Sequence, residues 1–195
     1  MSTFVQGAWD GYRHPDGILN ALKKTVMTAQ PQSVSGLPAN TLSSQTRQVI
    51  GDRLRLLLAD VFALYMKTRS FHWHVQGPHF REYHLLFDEQ ASELLAITDE
   101  IAERARKLGQ SSILSIEQIA LLKSINGAER TDVEARDMLQ CLADDNAALC
   151  AAMRRAHATA SDGGDVATTS LLENWIDQAE NRIWFLESTL ARPQA

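Results

Sequence analysis

Glycine and proline divide most of this chain into long segments and are rare inside them. After Gly51 the next breaks are Gly77-Pro78 and Gly109, and two more glycines lie in the stretch 162–165. Between these breaks, apolar residues recur at steps of three and four, which is the spacing of an amphipathic helix. Sustained alternation of apolar and polar residues, the signal of a strand, is absent from the sequence. The chain is therefore predicted to be all-α.

Four long helices and one short helix fit between these breaks. Ser115 with Gln118, and Thr131 with Glu134, have the spacing of capping boxes, which open helices. The predicted helices run from about Ser44 to the Gly77-Pro78 break, from about His79 to Leu108, over a short stretch after Ser115, from Thr131 to about Ala160, and from about Val166 to Leu190. This order predicts a four-helix bundle whose short helix lies in a crossover connection between the second and third long helices.

The 195 residues suffice for one domain preceded by a tail. Residues 1–44 contain many glycine, proline and polar residues and are predicted to be a flexible N-terminal arm, whereas residues 45–195 are predicted to be the folded domain. Neither a membrane-spanning apolar run nor a secretory signal is recognisable, so a cytoplasmic protein is expected. Cys141 and Cys150 would point to opposite sides of one helix, and both are expected to be reduced thiols.

Two pairs of polar residues repeat one spacing on the second predicted helix. His84 and Asp88 are four residues apart, and so are Asp99 and Glu103. Residues four apart share a face of a helix. The step from Asp88 to Asp99 turns the helix by about 1,100°, which is only about 20° from a whole number of turns. All four side chains are therefore predicted to lie on one stripe.

Two copies of this helix are needed to bring the four side chains together. Along one helix Asp88 and Asp99 are about 16.5 Å apart, whereas metal–ligand bonds are about 2.0–2.6 Å long. Two antiparallel copies that cross near residues 93–94 would place His84 and Asp88 of one subunit against Asp99 and Glu103 of the other. A two-fold axis then creates two identical sites, which predicts a homo-oligomer with shared metal sites.

His72 can join this set of donors if the first helix folds back beside the second. Two imidazoles and three carboxylates without a thiolate favour iron, zinc or manganese. The Glu-x-x-His step of intrachain di-iron sites in four-helix bundles is absent from the sequence. Spacing alone leaves two other interpretations open: the acidic residues can be an ordinary solvated face, and His84 can be a hydrogen-bonded core histidine.

The run His-Trp-His-Val-Gln-Gly-Pro-His-Phe at residues 72–80, followed by these spaced donors, resembles the Dps family, the ferritin-like DNA-binding proteins from starved cells. The similarity extends from about residue 45 to the end of the chain. It implies a ferritin-like four-helix bundle that assembles as a hollow dodecamer with ferroxidase sites at two-fold interfaces. It also implies that one subunit contributes His72, His84 and Asp88, that its partner contributes Asp99 and Glu103, and that Trp73 lies beside the centre.

The resemblance implies that Fe²⁺ is oxidised at these sites, preferably by hydrogen peroxide, and is stored as ferric oxyhydroxide inside the shell. Such chemistry protects DNA from oxidative damage during stress, and zinc is expected as a substitute occupant. Family members often have acidic pores for iron entry. The candidates for such a pore here are Asp144 and Asp145, with Asp162 and Asp165 behind them.

Two alternatives to iron oxidation remain open at this point. The first is a non-enzymatic nucleoid protein that binds DNA, and the second is a shell whose interface sites hold zinc structurally. The net charge of −5 argues against a strongly basic nucleic-acid-binding surface. The first 45 residues carry only three basic residues against two acidic ones, so the arm offers little phosphate neutralisation.

Overall fold

The computed structural model describes residues 41–191, which form five helices. The helices are α1 (Ser44–His74), α2 (Phe80–Lys107), α3 (Ile116–Leu122), α4 (Ala135–Asp162) and α5 (Val166–Leu190). No strand occurs among these residues. The predicted arm, residues 1–44, lies almost entirely outside the described range. None of the helices in residues 41–191 is both long and apolar enough to cross a lipid bilayer.

The four long helices form two antiparallel pairs, α1 with α2 and α4 with α5, and α1 also packs on α4. The core between the pairs consists of side chains that recur on one face of each helix and are fully buried, among them Leu54, Leu64, Phe87, Leu94, Met138, Leu142 and Trp175. The Trp175 indole donates a hydrogen bond of 2.8 Å to Glu100, so its one polar atom is satisfied. The predicted four-helix bundle is confirmed.

The short helix α3 is the predicted crossover element, and it packs on α1. Ser115 caps its start by accepting a hydrogen bond from the Gln118 N–H. Its end is attached to α1 by Asp60, which is buried. The Asp60 carboxylate accepts hydrogen bonds from Ser124 N at 2.5 Å, Ser124 Oγ at 2.8 Å and Ile125 N at 3.1 Å. A buried carboxylate with three donors holds the crossover in one place.

The predicted start of the third long helix is wrong by four residues. The helix α4 begins at Ala135, and its N-cap Glu134 is extended and makes no capping hydrogen bond through its side chain. The capping box predicted from Thr131 and Glu134 therefore does not form. Asp132 instead accepts two hydrogen bonds from Arg130, at 2.9 and 2.8 Å, within an irregular stretch. A local ion pair thus replaces the helical turn that the spacing predicted.

Candidate metal centre

The break at Gly77-Pro78 folds α1 back onto α2. Gly77 has a φ of 94° and His79, the N-cap of α2, has a φ of 64°. Both values lie in the left-handed region, which glycine adopts without strain. The reversal places the last turn of α1 beside the first turns of α2, so that His72 meets His84 although the two are twelve residues apart in sequence.

The two imidazoles hold each other in place. His72 Nδ1 donates to the backbone carbonyl of His84 at 2.8 Å, and His84 Nδ1 donates to the carbonyl of His72 at 2.9 Å. The rings are stacked, with centroids 3.8 Å apart and planes inclined by 22°. Because each Nδ1 must carry a proton to donate to a carbonyl, the neutral ring has its lone pair on Nε2. This tautomer is the one that a metal-binding histidine needs.

Asp88 lies one helical turn after His84 and is partly exposed. Its carboxylate forms an ion pair with Arg69 of α1, whose side chain is 26% exposed. The Arg69 guanidinium also lies 6.0 Å from the centre of the Trp73 ring. The third predicted ligand of this subunit is therefore already neutralised by a cation of the chain itself.

Asp99 and Glu103 lie further along α2, and both are exposed. Glu103 accepts a 3.0 Å hydrogen bond from Lys107, four residues later. Leu95, between the two polar pairs, is also exposed, at 46%. The stripe predicted from the sequence is therefore open to solvent in the single chain and includes an apolar residue near its middle. We call His72, His84, Asp88, Asp99 and Glu103 the donor stripe.

The single chain does not enclose a cation along this stripe. Among residues 41–191, no three histidine, cysteine, aspartate or glutamate side chains are close enough to hold a metal ion together. The chemistry of the donors nevertheless fits one: two fixed imidazoles with a free Nε2 and carboxylates that face solvent are ligands that Fe²⁺ and Zn²⁺ accept. Within one chain, however, the donors of the stripe do not lie around a common point.

The bundle interior contains a second group of polar residues, which has no capacity to bind a cation. Arg182 of α5 is 1% exposed, donates a 2.8 Å hydrogen bond to Asn146 and pairs with Glu93 at 3.3 Å. Gln90 donates to the Arg182 carbonyl at 3.2 Å. We call these four residues the interior cluster. Burial lowers the pKa of Arg182 and Glu93 opposes this effect; a guanidinium nevertheless stays protonated in proteins and repels other cations.

The candidate pore residues have different environments. Asp144 is exposed and accepts a 3.0 Å hydrogen bond from Gln140, whereas Asp145 pairs at 2.5 Å with the buried Lys67. Asp162 is exposed at the end of α4. The prediction for Asp165 is wrong: this residue is 4% exposed and caps α5.

The physical reason is that Asp165 is fully engaged inside the fold. Its carboxylate pairs with Arg104 at 2.6 Å and accepts hydrogen bonds from the N–H and hydroxyl of Thr168. Burial raises the pKa of Asp165, but the hydrogen bonds from Arg104 and Thr168 outweigh burial, so the pKa lies below its ordinary value. A carboxylate held in this way stabilises the end of α2 against α5 and does not line a pore.

Two further histidines have partners outside the donor stripe, and both cysteines are free thiols as expected. His74 donates to the Ser70 carbonyl at 2.6 Å, and His157 pairs with Glu173 at 3.0 Å on the far helices. Cys141 and Cys150 are free thiols. Burial raises the pKa of the Cys141 thiol, and the nearby Lys67 opposes this shift.

Sequence reasoning missed two arginines at these sites. Arg69 precedes His72 by three residues and Trp73 by four, so helical spacing alone places all three on one face. Arg182 occupies a core position in the series Leu172, Trp175, Ala179, Arg182, Leu186, whose steps alternate between three and four. The signal in the sequence was a positively charged residue at a position of this series where an apolar one is expected.

Comparison with known proteins agrees with this architecture. Residues 52–194 match the model of the family described as ferritin-like domain. The chain belongs to the ferritin-like family. A DNA protection during starvation protein of Helicobacter pylori is 27% identical over 138 residues, which cover 71% of this chain and 96% of that protein. An uncharacterized low temperature-induced protein of Nostoc sp. is 34% identical over 152 residues, or 75% of this chain and 83% of the relative.

Solved Dps structures are similar to this chain over most of its length. A Dps protein from Vibrio cholerae O1 superposes with a TM-score of 0.75 at 28% identity, over 81% of this chain and 100% of that one. That protein is described as a member of a broad superfamily of ferritin-like diiron-carboxylate proteins. The family resemblance found in the sequence is thereby confirmed, as is the ferritin-like fold with a crossover helix.

Proposed function

We propose that this protein is a ferroxidase that stores iron. Fe²⁺ is its substrate, hydrogen peroxide is the preferred oxidant, and ferric oxyhydroxide is kept inside a hollow dodecamer. Two Fe²⁺ ions each give one electron to one peroxide molecule, which takes up two protons and leaves as two water molecules. Because peroxide is consumed in a two-electron reaction, hydroxyl radical is not released, and nearby DNA is protected in the cytoplasm.

The observation that supports this proposal most is the reciprocal bonding of His72 and His84. Both rings are fixed by backbone carbonyls rather than by side chains, and each keeps Nε2 free. Metal-ligating histidines almost always donate their other ring N–H to a carboxylate, a backbone carbonyl or water, as both rings do here. Asp88 lies on the same helical face as His84, one turn away.

The carboxylates supply the driving force for oxidation. Asp88, Asp99 and Glu103 offer hard anionic oxygens, which favour the more highly charged ferric product over Fe²⁺. His72 and His84 add neutral ligands of intermediate softness. We propose that Asp99 and Glu103 come from the two-fold partner, because they lie about 16.5 Å or more along the helix axis from Asp88.

A peroxide assay tests the reaction. Metal-free protein is loaded with Fe²⁺ without oxygen, peroxide is added, and ferric absorbance is followed. The parent oxidises the bound iron rapidly, whereas His84→Ala and Asp99→Ala each slow this oxidation about a hundredfold or more, because even loss of a residue that only supports a ligand costs about 10–100-fold in metal sites. His157→Ala is the matched control, since that histidine lies on α4 and pairs with Glu173. Equal rates in all four proteins would contradict the proposal.

Mixing two inactive variants tests whether the site is shared. In a dimer of one His84→Ala and one Asp99→Ala subunit, one site has both defects and the other has neither. Random reassembly makes about half of the dimers mixed, so the activity recovers to about one quarter of the parent. A site within one chain would recover nothing, because every subunit would still carry its own defect.

DNA binding is a second proposal, favoured by the name of the Helicobacter pylori relative. A gel-shift series over increasing salt tests it, with the full chain and with a variant lacking residues 1–44. Retention that depends on these residues and weakens with salt supports phosphate neutralisation by the arm. Absence of a shift at low salt would leave protection by peroxide removal alone, and the protein would then be cytoplasmic without association with the nucleoid.

A further inference from the structure

Arg69 connects three elements of the candidate metal centre. Its guanidinium pairs with the Asp88 carboxylate on α2 and lies 6.0 Å from the centre of the Trp73 ring on its own helix. Arg69 also lies three residues before His72. The pair is partly shielded, with Arg69 26% and Asp88 46% exposed, while Trp73 is 57% exposed.

A guanidinium at this place competes with any metal ion that uses Asp88. Arginine has no lone pair to give to a metal, and it keeps its charge at every pH at which the protein is folded. A cation that binds Asp88 must therefore displace Arg69 from the carboxylate. The displaced guanidinium has a nearby alternative, the face of Trp73, where a cation is attracted by the aromatic ring.

We infer that Arg69 is an internal counter-cation of the metal centre, which holds Asp88 in the metal-free chain and moves to the Trp73 face when a divalent cation takes the carboxylate. This inference rests on the function proposed above. The consequence is that Arg69 lowers the affinity of the site for a divalent cation. A ferroxidase site must release its product to the store, and a resident cation that returns to Asp88 assists that release.

The other ion pair on the donor stripe lacks this property. Lys107 pairs with Glu103 through an i,i+4 contact in which both side chains are about 60% exposed, so solvent and salt screen it. Arg69 instead approaches Asp88 from a different helix, and its guanidinium lies 6.0 Å from the centre of the Trp73 ring. The geometry therefore distinguishes Asp88 from Glu103 as the ligand whose release is controlled by a competing cation.

Calorimetric titration of the metal-free oligomer with Zn²⁺ tests the inference, because zinc binds without oxidation. Removing the charge with Arg69→Gln or Arg69→Met raises the zinc affinity about fivefold or more, through loss of both competition and repulsion. Arg69→Lys keeps the charge and stays within about twofold of the parent. The matched control is Arg55→Gln, which breaks the Arg55–Asp52 pair on the same helix and leaves the affinity unchanged.

The direction of the change separates this role from a structural one. If Arg69 only supported the fold, its loss would lower the zinc affinity together with the melting temperature. Unchanged or lower affinity in both charge-removing variants, or an equal rise in Arg69→Lys, would overturn the inference. If both Arg69→Gln and His84→Ala bind zinc with the affinity of the parent, the proposed metal centre itself is wrong. If His84→Ala loses zinc binding while Arg69→Gln has the affinity of the parent, only the role of Arg69 is wrong.

Discussion

The donor stripe and the interior cluster both include residues of α2, and they differ in exposure and in charge. On α2, His84 and Asp88 face outward, whereas Gln90 is 3% exposed and faces the bundle core. The interior cluster is built around a buried cation, Arg182, which donates a hydrogen bond to the Asn146 amide and pairs with the Glu93 carboxylate. The donor stripe instead combines four partly or fully exposed donors on α2 with the buried His72, and its carboxylates carry negative charge.

This difference bears on whether a metal ion binds inside the bundle or at its surface. In many di-iron four-helix bundles the carboxylates and histidines project into the bundle interior. Here a guanidinium occupies that interior, and a cation placed beside it would be strongly repelled. We therefore propose that iron binds at the surface of the subunit, where a second subunit completes the coordination. In this proposal the interior cluster stabilises the fold and the donor stripe binds the iron.

The largest expected effect is on the interior cluster. Arg182→Ala removes the hydrogen bond to Asn146 and creates a cavity at a buried position, and we expect it to lower the free energy of unfolding by about 3–5 kcal/mol. Glu93 also loses its partner, but it is 42% exposed and solvent screens that loss. Urea unfolding of the metal-free protein measures this. The control is Arg154→Ala, which breaks an exposed pair with Glu180 and costs less than about 1 kcal/mol.

The zinc titration sharpens this prediction. If the interior serves only the fold, folded Arg182→Ala protein binds Zn²⁺ with the stoichiometry of the parent. Additional zinc bound in the interior of this variant would show that Arg182 is what keeps cations out of the bundle. Loss of zinc binding without loss of stability would contradict this division of roles, because the interior cluster would then take part in metal binding.

The next largest effect is expected at Asp165, which attaches α5 to the end of α2 that carries Glu103. Asp165→Asn keeps a capping oxygen but removes the charge that pairs with Arg104, and should cost about 2 kcal/mol at pH 7. Because the pKa of Asp165 is lowered from 3.8, its contribution is present above that value and is lost as the pH falls through the folded-state pKa. Unfolding at pH 7 and at pH 3 should show the variant and parent converging in acid.

The boundaries of the helices could be predicted where local chemistry fixes them. The start of α5 follows from Asp165 after two glycines, and that boundary is confirmed at Val166. The start of α4 could not be predicted, because capping-box spacing at Thr131 also occurs in irregular segments that a nearby ion pair stabilises. A short motif such as Thr131–Glu134 can therefore have the spacing of a capping box without forming one.

The helical face that carries the candidate site could be predicted, whereas the ion pairing of its residues could not. Helical periodicity placed His84, Asp88, Asp99 and Glu103 on one face, and the described exposures agree with that face. The Arg69–Asp88 pair depends on how closely α1 approaches α2, which is a tertiary property that spacing does not encode. The interior position of Arg182 was readable from its place in an apolar series, yet its partners come from two other helices.

A smaller effect on stability is expected from the donor stripe itself. His84→Ala removes one reciprocal hydrogen bond and one stacked ring at a half-buried position, which should cost about 1 kcal/mol. The same variant should lose most of its zinc affinity, since one ligand is gone and His72 loses its stacking partner. Parallel calorimetry and urea unfolding check both values. A loss of stability as large as that of Arg182→Ala would mean that His84 is a core residue.

The smallest effect on stability is expected at Glu103, where a small change in stability should accompany a large change in zinc binding. Glu103→Gln breaks only an exposed i,i+4 pair with Lys107, so the free energy of unfolding should change by less than about 0.5 kcal/mol. Removing the negative charge should nevertheless weaken Zn²⁺ binding in the assembled oligomer about tenfold or more. Lys107→Gln is the matched control, because it breaks the same pair and leaves the carboxylate in place. Equal zinc affinities for these two variants would remove Glu103 from the shared site. They would also contradict the expectation that this exposed residue, which adds little to stability, takes part in metal binding.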